Sequence, residues 1–209
     1  EIVVDGMHTR HLLIGDDFRF GAQRRGDFAL LAQAATRHGY ELAQVATVTR
    51  DGERISSSAV REALAAADFA RARELLGRPY FISGHVVHGR KLGRTIGFPT
   101  LNLPIPFERP AVTGVFVVRV HGLGARPLEG VASLGTRPAV EREGRLLLEA
   151  HLFGFDGDAY GRLVRVEFLH KLRDETRFAS IDLLTAQIAR DAQAAREWFR
   201  REGGAGRTD

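Results

Sequence analysis

The sequence predicts an α/β segment followed by an antiparallel all-β domain that packs against a C-terminal helix. A strand–helix–strand pattern occupies about 40 residues near the N-terminus and is typical of a parallel α/β unit. After Tyr80 the pattern changes to short β-rich runs separated by loops without helices, which indicates an antiparallel barrel or sandwich. Apolar residues at helical spacing after Ser180 predict the closing helix.

The elements of the α/β segment are predicted from their end signals. Residues 11–15 and 42–48 are apolar or β-rich runs, and we expect both to be strands. Between them, Asp27 is the expected N-cap of a helix that ends near Gly39. The inward-facing positions of this helix are predicted to be Phe28, Leu31 and Ala35.

A second helix is predicted over residues 59–76, and we expect it to bridge two domains. Gly77 and Pro79 form its predicted stop, because glycine accepts a left-handed cap and proline cannot continue a helix. Its apolar stripe is expected to consist of Leu64, Ala67, Ala72, Leu75 and Leu76.

The all-β domain is predicted from five β-rich runs. They cover residues 81–87, 112–120, 128–134, 145–153 and 163–169. Ser180 is the expected N-cap of the closing helix, which should pack on the β domain. The apolar residues at helical spacing are Ile181, Leu184, Ile188, Ala195 and Trp198.

Composition excludes several classes of protein. The chain has 209 residues, of which 44% are hydrophobic and 27% charged, as in an ordinary globular protein. It contains no cysteine, which excludes disulfides and cysteine-ligated metals. No apolar run approaches the roughly 20 residues of a membrane span, so we expect a cytoplasmic protein. The net charge of +4, without basic clusters between aromatics, does not favour a nucleic-acid binder. Because the chain starts on Glu1, we expect a fragment of a longer protein.

The stretch 84–103 is rich in glycine and carries Arg90, Lys91 and Arg94. Glycine lets a backbone pass close to a ligand and turn its N–H groups toward phosphate. The stretch contains neither a Walker A loop nor the Gly-x-Gly-x-x-Gly of dinucleotide folds. Two interpretations therefore stand, a basic flap over phosphates and a hairpin with a solvated tip.

Thr100 and Asn102 follow Pro99 and lie on one face if the segment is extended. Their hydroxyl and amide oxygens are hard ligands that suit Mg²⁺. The alternative, which these residues alone favour, is that both side chains satisfy a turn.

Glu149 lies in a predicted strand whose alternation places it on one face with His151 and Phe153. A carboxylate beside a ligand cavity can accept a hydroxyl proton during phosphoryl transfer. The simpler interpretation is a glutamate on the wet face of a half-buried strand.

Three further segments carry polar groups that could bind a ligand, and each also has a simpler structural interpretation. Residues 135–138 form a glycine-containing loop with Arg137, or an ordinary β-turn. We interpret Asp174 and Glu175, beside Arg173, as surface charge, although a guanidinium can stack on or bind a planar ligand. Residues 56–58 have the form of an anion site at a helix start, but the sequence alone favours an ordinary N-cap.

Taken together, the segments resemble the bacterial bifunctional riboflavin kinase/FMN adenylyltransferase (FAD synthetase) family, without the N-terminal part of the adenylyltransferase module. The resemblance covers nearly the whole chain in the family's order. The matching segments are IGDDFRFG at 14–21, ISSSAVR at 55–61, LGRPY at 76–80, GFPTLN at 97–102, GVF at 114–116, GTRP at 135–138 and EAH at 149–151.

The resemblance implies a division into domains and the architecture of each. Residues 1–76 would be the C-terminal part of a Rossmann-like α/β nucleotidyltransferase module. Residues 77–209 would be a riboflavin kinase module, an antiparallel six-stranded Greek-key β-barrel with a C-terminal helix. Its activity would be transfer of the ATP γ-phosphate to the riboflavin 5′-hydroxyl, with Mg²⁺ as cofactor, FMN as product, and no nucleic-acid or membrane partner.

The resemblance also implies roles for individual residues. Glu149 would be the catalytic base, and Thr100 and Asn102 would hold Mg²⁺ and the ATP phosphates. Other residues expected at the nucleotide, in a covering flap, are Gly84, Arg90, Lys91, Gly93 and Gly97. The residues expected at the flavin are Arg173, Gly135 and Arg137. The remnant of the adenylyltransferase site is expected at Asp17, Ser57, Ser58 and Arg61.

The chain departs from the family pattern at a few positions. Leu101 replaces the usual alanine, Ser58 replaces threonine and Ala139 stands where threonine is usual. The H-x-G-H nucleotide site that starts the adenylyltransferase module has no counterpart here. FMN adenylylation is therefore expected of the parent protein rather than of these residues. A non-catalytic flavin-binding barrel is the alternative from another class.

Overall fold

A computed structural model of the chain describes residues 2–89, 92–106, 110–136 and 146–205. The chain divides into two compact units, Glu1–Ser56 and Ser57–Asp209. Within the described ranges, no helix is long and apolar enough to cross a membrane.

The first unit contains the predicted parallel β–α–β arrangement. Strands β1 (His11–Gly15) and β2 (Glu41–Val45) pair in parallel, and helix α1 (Phe28–His38) connects them. The Asp27 carboxylate accepts the Leu30 N–H at 3.0 Å, and Gly39 adopts φ 72° at the other end, so both predicted ends of α1 are confirmed. The second strand stops at Val45 rather than residue 48. A short hairpin of β3 (Thr49–Arg50) and β4 (Glu53–Arg54) follows.

The predicted single helix over 59–76 is wrong, because the structure has two helices there. Helix α2 (Ser57–Ala65) and helix α3 (Phe69–Leu76) are separated by a turn in which Ala67 has φ 56°. The Asp68 carboxylate accepts the Arg71 N–H at 2.8 Å and so starts a new helix. Gly77, at φ 68°, ends α3 as predicted.

Six antiparallel strands in the second unit form a nearly closed barrel. They are β5 (Phe81–His85), β6 (Leu101–Pro104), β7 (Gly114–His121), β8 (Leu128–Thr136), β9 (Leu146–Leu152) and β10 (Leu163–Arg173). Their order is β5-β10-β7-β8-β9-β6, a Greek-key arrangement in which β6 leaves the hairpin sequence to lie beside β9. The Val87 N–H donates to the Asn102 carbonyl at 2.9 Å and brings the end of the β5 segment against β6. This contact favours the barrel over the sandwich.

Two details between β5 and β7 differ from the sequence prediction. The segment around Asn102 forms a strand, β6, which is not among the five predicted β-rich runs. The residues alone favoured a turn there. A short helix, α4 (Leu92–Thr95), lies between β5 and β6, where a loop without helix was expected.

Inward-facing residues of the strands fill the barrel. Phe116 and Phe168 are fully or almost fully buried and meet edge to face with ring centroids 5.1 Å apart. Phe69 of α3 packs on both rings, at 5.9 Å and 6.2 Å. Helix α3 therefore extends the barrel core.

Helix α5 (Ile181–Ala205) packs on the outer face of the barrel. The Ser180 hydroxyl accepts the Leu183 N–H at 3.3 Å, so the predicted N-cap is confirmed. The buried residues at this contact are Ala192, Ala195 and Phe199 from the helix with Val115, Val117 and Val131 from the sheet. The prediction for Ile181 is wrong: its side chain is 56% exposed, because the first turn of α5 projects beyond the apolar contact.

Candidate functional site

Successive residues of strand β9 alternate between the inner and outer faces of the barrel wall. Leu148 and Ala150 are fully buried in the barrel, whereas the alternating residues Glu149 and His151 are partly exposed. Successive strand residues point to opposite faces, so Glu149 and His151 lie on the outer face, as the sequence predicts.

Glu149 lies opposite a polar residue on each neighbouring strand. It stands opposite Asn102 of β6 and opposite Ser133 of β8 in the antiparallel register. Residues directly opposite each other in such a ladder project from the same face. The barrel therefore presents a carboxylate, an amide and a hydroxyl side by side.

These three residues line a cavity of about 450 Å³, here called the outer-face cavity. Helix α5 and residues 174–180, the strap, form its other walls. This volume lies within the usual range for small-molecule sites. The lining residues are Gly93, Ile96, Phe98, Thr100, Asn102, Val115, Val131, Ala132, Ser133, Glu149, His151, Arg173, Glu175, Thr176, Phe178, Leu184, Ile188 and Asp191.

A second cavity of about 570 Å³, the inner-face cavity, lies on the other side of β6 and β9. Its wall includes the inward-facing Leu101, Ala150 and Leu152, together with Arg94 and residues 155–160. The Tyr160 ring in this wall contacts the His88 ring with centroids 3.7 Å apart and planes tilted by 34°, a pair that the sequence did not predict. Thr100 lines both cavities.

The segment that carries Thr100 is held by β9. The His151 Nδ1–H donates to the Pro99 carbonyl at 2.9 Å, and the Phe98 ring meets the His151 ring edge to face. Pro99 cannot donate a backbone hydrogen bond, so its carbonyl is the group available for this contact. The contact fixes the start of β6 between the two cavities.

Asn102 is the residue best suited to hold a metal ion. Its side chain is 5% exposed, and its amide nitrogen donates to the Thr100 carbonyl at 3.2 Å. Its side-chain oxygen is buried and has no hydrogen-bond partner among the described residues. A buried carbonyl oxygen without a donor is costly, and a hard cation such as Mg²⁺ would satisfy it. The donor set of Thr100 and Asn102 therefore fits Mg²⁺.

Gly89 allows Asn102 to occupy this position. A Cβ atom on Gly89 would overlap the Asn102 side-chain amide. The sequence places Gly89 only within the glycine-rich stretch expected to form a flap, whereas this close approach of backbone to amide gives it a specific role.

Arg173 forms part of the wall through a two-point ion pair. Its Nε lies 3.0 Å from Asp191 Oδ1, and its Nη2 lies 2.7 Å from Asp191 Oδ2. Its Nη1 donates to the Asp174 carbonyl at 2.9 Å. Asp191 was not identified from the sequence, because a carboxylate in a long amphipathic helix is ordinarily solvated.

Glu175 contributes a further carboxylate to the outer-face cavity, which Glu149 and Asp191 also line. It accepts the Ser133 hydroxyl at 3.2 Å, and a Cβ atom on Gly135 would overlap its carboxylate. Interpreting Glu175 as surface charge was incomplete: the residue stays accessible, yet its carboxylate lies over Gly135.

The predicted site residues fall into three groups. Five line the outer-face cavity: Gly93, Thr100, Asn102, Glu149 and Arg173. Gly84, Gly97 and Gly135 are not among the described residues that line either cavity. Arg90, Lys91 and Arg137 lie outside the described residues. The assigned roles remain predictions.

The predicted adenylyltransferase remnant involves both units. Asp17 lies in the first unit, where its carboxylate accepts Arg54 Nη2 at 2.6 Å. Hydrogen bonds from Thr47 hold the pKa of the neighbouring Asp16 below its ordinary value. The other predicted residues, Ser57, Ser58 and Arg61, lie in the first two turns of α2 in the second unit.

Two family models match the chain. The riboflavin kinase model matches residues 76–199, and the FAD synthetase model matches residues 1–59. The bifunctional riboflavin kinase/FMN adenylyltransferase of Escherichia coli (strain K12) is 51% identical over 95% of this chain and 63% of its own length. The protein of the same name from Haemophilus influenzae is 44% identical over 95% of this chain and 64% of its own length. The chain thus spans somewhat less than two thirds of these curated relatives.

A solved structure agrees with the fold. The crystal structure titled macrolide-efflux protein from Streptococcus pneumoniae aligns with a TM-score of 0.64 and 31% identity over 95% of this chain and 64% of that chain. The riboflavin kinase model covers more than half of the chain, including all six strands of the barrel. The chain belongs to the riboflavin kinase family.

Proposed function

We propose that the chain transfers the γ-phosphate of ATP to the 5′-hydroxyl of riboflavin and so makes FMN. The observation that carries this proposal is that Thr100 lines two cavities, one on each face of the barrel wall. Transfer between two bound substrates requires two sites that meet at the reacting group. ATP would occupy the inner-face cavity, and riboflavin would occupy the outer-face cavity.

Glu149 is proposed as the general base. In the reaction, a bond forms between the riboflavin 5′-oxygen and the γ-phosphorus, and the bond from that phosphorus to the β,γ-bridging oxygen breaks. ADP leaves, and the hydroxyl proton passes to the Glu149 carboxylate. The position of Glu149, in the outer-face cavity and opposite Asn102 in register, supports this role.

Thr100 and Asn102 are proposed to hold Mg²⁺ together with the phosphates. When bound, Mg²⁺ supplies neutralisation of the charge that develops on the transferring group. The buried side-chain oxygen of Asn102 supports this assignment. The flap residues Gly84, Arg90, Lys91, Gly93 and Gly97 are proposed to cover the nucleotide, as the family resemblance implies.

The domain assignment and wider context are part of the same proposal. Residues 77–209 would be the riboflavin kinase module and 1–76 part of an FMN adenylyltransferase module. The proposed remnant of the second site is Asp17, Ser57, Ser58 and Arg61, with Arg173, Gly135 and Arg137 at the flavin. FAD synthesis would belong to a longer parent protein, and both activities would operate in the cytoplasm, where ATP is available.

The test is direct detection of products. Purified chain is incubated with riboflavin, ATP and Mg²⁺, and flavins are separated and quantified by fluorescence. We expect FMN that depends on ATP, disappears with EDTA and returns with excess Mg²⁺. Riboflavin binding without FMN formation would contradict the proposal and favour a non-catalytic flavin-binding barrel. FAD formed from FMN and ATP would show that the adenylyltransferase activity resides in these residues.

A further inference from the structure

Asp191 is a buried carboxylate beside the proposed flavin cavity to which no role has been assigned. Its side chain is 6% exposed, and Asp191 and Asn102 are the two buried polar or charged residues in the described part of the chain. A buried charge is tolerated in a protein when it is paired and hydrogen-bonded. Asp191 also lines the outer-face cavity.

Two neighbours satisfy both oxygens of Asp191. Arg173 donates to Oδ1 at 3.0 Å and to Oδ2 at 2.7 Å through two different nitrogens. Gln187, one helical turn earlier on α5, donates to Oδ1 at 2.8 Å. The Gln187 side-chain oxygen is in turn bound by Arg190 at 2.7 Å. Asp191 is therefore oriented from its own helix and from the end of β10.

The ion pair connects α5 to the strap. Arg173 is the last residue of β10, and its Nη1 donates to the carbonyl of Asp174, the first residue of the strap. Its guanidinium also lies 5.8 Å from the centre of the Phe178 ring, within the strap. Glu175, Thr176 and Phe178 of the strap all line the outer-face cavity.

We propose that Asp191 is a positioning residue for the acceptor substrate: by holding Arg173 in a two-point ion pair, it fixes the strap as a wall of the outer-face cavity before riboflavin binds. This inference rests on the proposed function. A guanidinium held at two points loses its freedom once, on folding, and not again when the ligand binds. Asp191 acts through Arg173 and does not itself take part in phosphoryl transfer.

The cavity linings predict which substrate is affected when the ion pair between Arg173 and Asp191 is lost. Arg173, Asp191 and the strap line the outer-face cavity, and none of them lines the inner-face cavity. Loss of the ion pair is therefore expected to weaken riboflavin binding and to leave ATP binding nearly unchanged. A general loss of structure would affect both substrates.

The primary variant is Asp191→Asn, which keeps the shape and removes the charge. Glu197→Gln is the matched control, because Glu197 also accepts a side-chain amide from the residue four positions earlier, Gln193, but is 51% exposed and lies away from both cavities. Asp191→Asn is expected to raise the riboflavin KM about tenfold or more, with the ATP KM within about twofold. Glu197→Gln is expected to change neither constant.

A double-mutant cycle separates positioning from simple stabilisation. Asp191→Asn is combined with Arg173→Lys, since lysine cannot form the two-point pair. If Asp191 acts through Arg173, its substitution raises the riboflavin KM by less than about twofold in the Arg173→Lys background. Independent, multiplicative effects of the two substitutions would overturn the proposal, as would equal increases in both KM values.

A second variant and a binding measurement apply if Asp191→Asn does not fold or if the wild-type chain forms no FMN. If Asp191→Asn does not fold, Gln187→Ala replaces it in the cycle, because it removes one group that orients Asp191 and keeps the charge pair. It is expected to raise the riboflavin KM severalfold, and no change would overturn the proposal. If the wild-type chain binds riboflavin without phosphorylating it, the proposed function alone fails, and the cycle is measured as riboflavin Kd by flavin fluorescence. A wild-type chain that neither binds nor phosphorylates riboflavin overturns both.

Discussion

Asn102 and Glu149 are register partners on the antiparallel strands β6 and β9, so their side chains emerge together on the outer face of the barrel. One supplies a buried oxygen without a partner among the described residues, and the other supplies a carboxylate in the same cavity. Asn102, the proposed metal ligand, and Glu149, the proposed base, are thus adjacent because of strand pairing, although they are 47 positions apart in the chain. Strand pairing thus brings the two groups together as the proposed phosphoryl transfer would require.

The Thr100 hydroxyl is expected to matter more than the shape of the side chain. Thr100→Val keeps the shape and removes the hydroxyl, whereas Thr100→Ser keeps the hydroxyl. We expect Thr100→Val to lower kcat/KM for ATP about 10- to 100-fold and to raise the Mg²⁺ concentration needed for half-maximal activity. Thr100→Ser should stay within about threefold of wild type, because the proposed ligand remains. Equal changes in kcat/KM for ATP in the two variants would show that the Thr100 hydroxyl has no role in the reaction.

Gly89 is expected to be intolerant of a side chain. In Gly89→Ala the added Cβ would overlap the Asn102 amide, so Asn102 must move away from its present position. We predict a fall in kcat/KM for ATP of about 10- to 100-fold with little change in thermal stability, since displacements of about 1 Å at a site are costly for catalysis. Gly124→Ala is the control, because a Cβ there meets no atom within 4 Å. Wild-type activity in Gly89→Ala would contradict the proposed role of Asn102.

The turn between α2 and α3 carries local strain at Ala67. Its φ of 56° lies in the left-handed region, which costs alanine about 1–2 kcal/mol. Ala67→Gly should therefore stabilise the second unit by roughly 0.5–1 kcal/mol in urea unfolding, after the entropy cost of glycine. Trp198, the only tryptophan in the chain, lies in this unit and reports its unfolding by fluorescence.

The neighbouring residue Ala66 provides the control for Ala67→Gly. Its N–H donates to the Glu62 carbonyl at 3.0 Å, as in a continuing helix. Ala66→Gly should destabilise the second unit by roughly 0.5–1 kcal/mol, because glycine is a poor helix former. Destabilisation by Ala67→Gly as well would show that the backbone at Ala67 is not strained.

The sequence predicted those elements whose signals are local. Asp27 and Gly39 mark the ends of α1, and strand alternation placed Glu149 on the outer face, because caps and pleats depend on neighbouring residues only. The break at Ala67 was missed, because alanine is the best helix former and only the packing of two helices selects the turn. The family motifs, rather than periodicity, led to the six-stranded barrel.

The arrangement of the site was less accessible from the sequence. The sequence marks Thr100 and Asn102 as a pair, but these residues alone favour a turn, because the burial of Asn102 depends on the contact of the β5 segment with β6. Asp191 gave no local signal, and Gly89 was marked only as one glycine of a glycine-rich stretch. Their importance follows from long-range contacts, with Arg173 in one case and Asn102 in the other, which no short motif encodes.

The most direct test is FMN formation by wild-type chain and by Glu149→Gln, with kcat and both KM values determined by varying riboflavin and ATP in excess Mg²⁺. Glu129→Gln serves as the control, because Glu129 is an exposed strand carboxylate that faces Arg119 and lies in neither cavity. We expect Glu149→Gln to lower kcat about 10²-fold or more, with both KM values within about threefold, because glutamine cannot accept the hydroxyl proton. A Glu149→Gln variant with kcat within about threefold of wild type would contradict the assignment of Glu149 as the base.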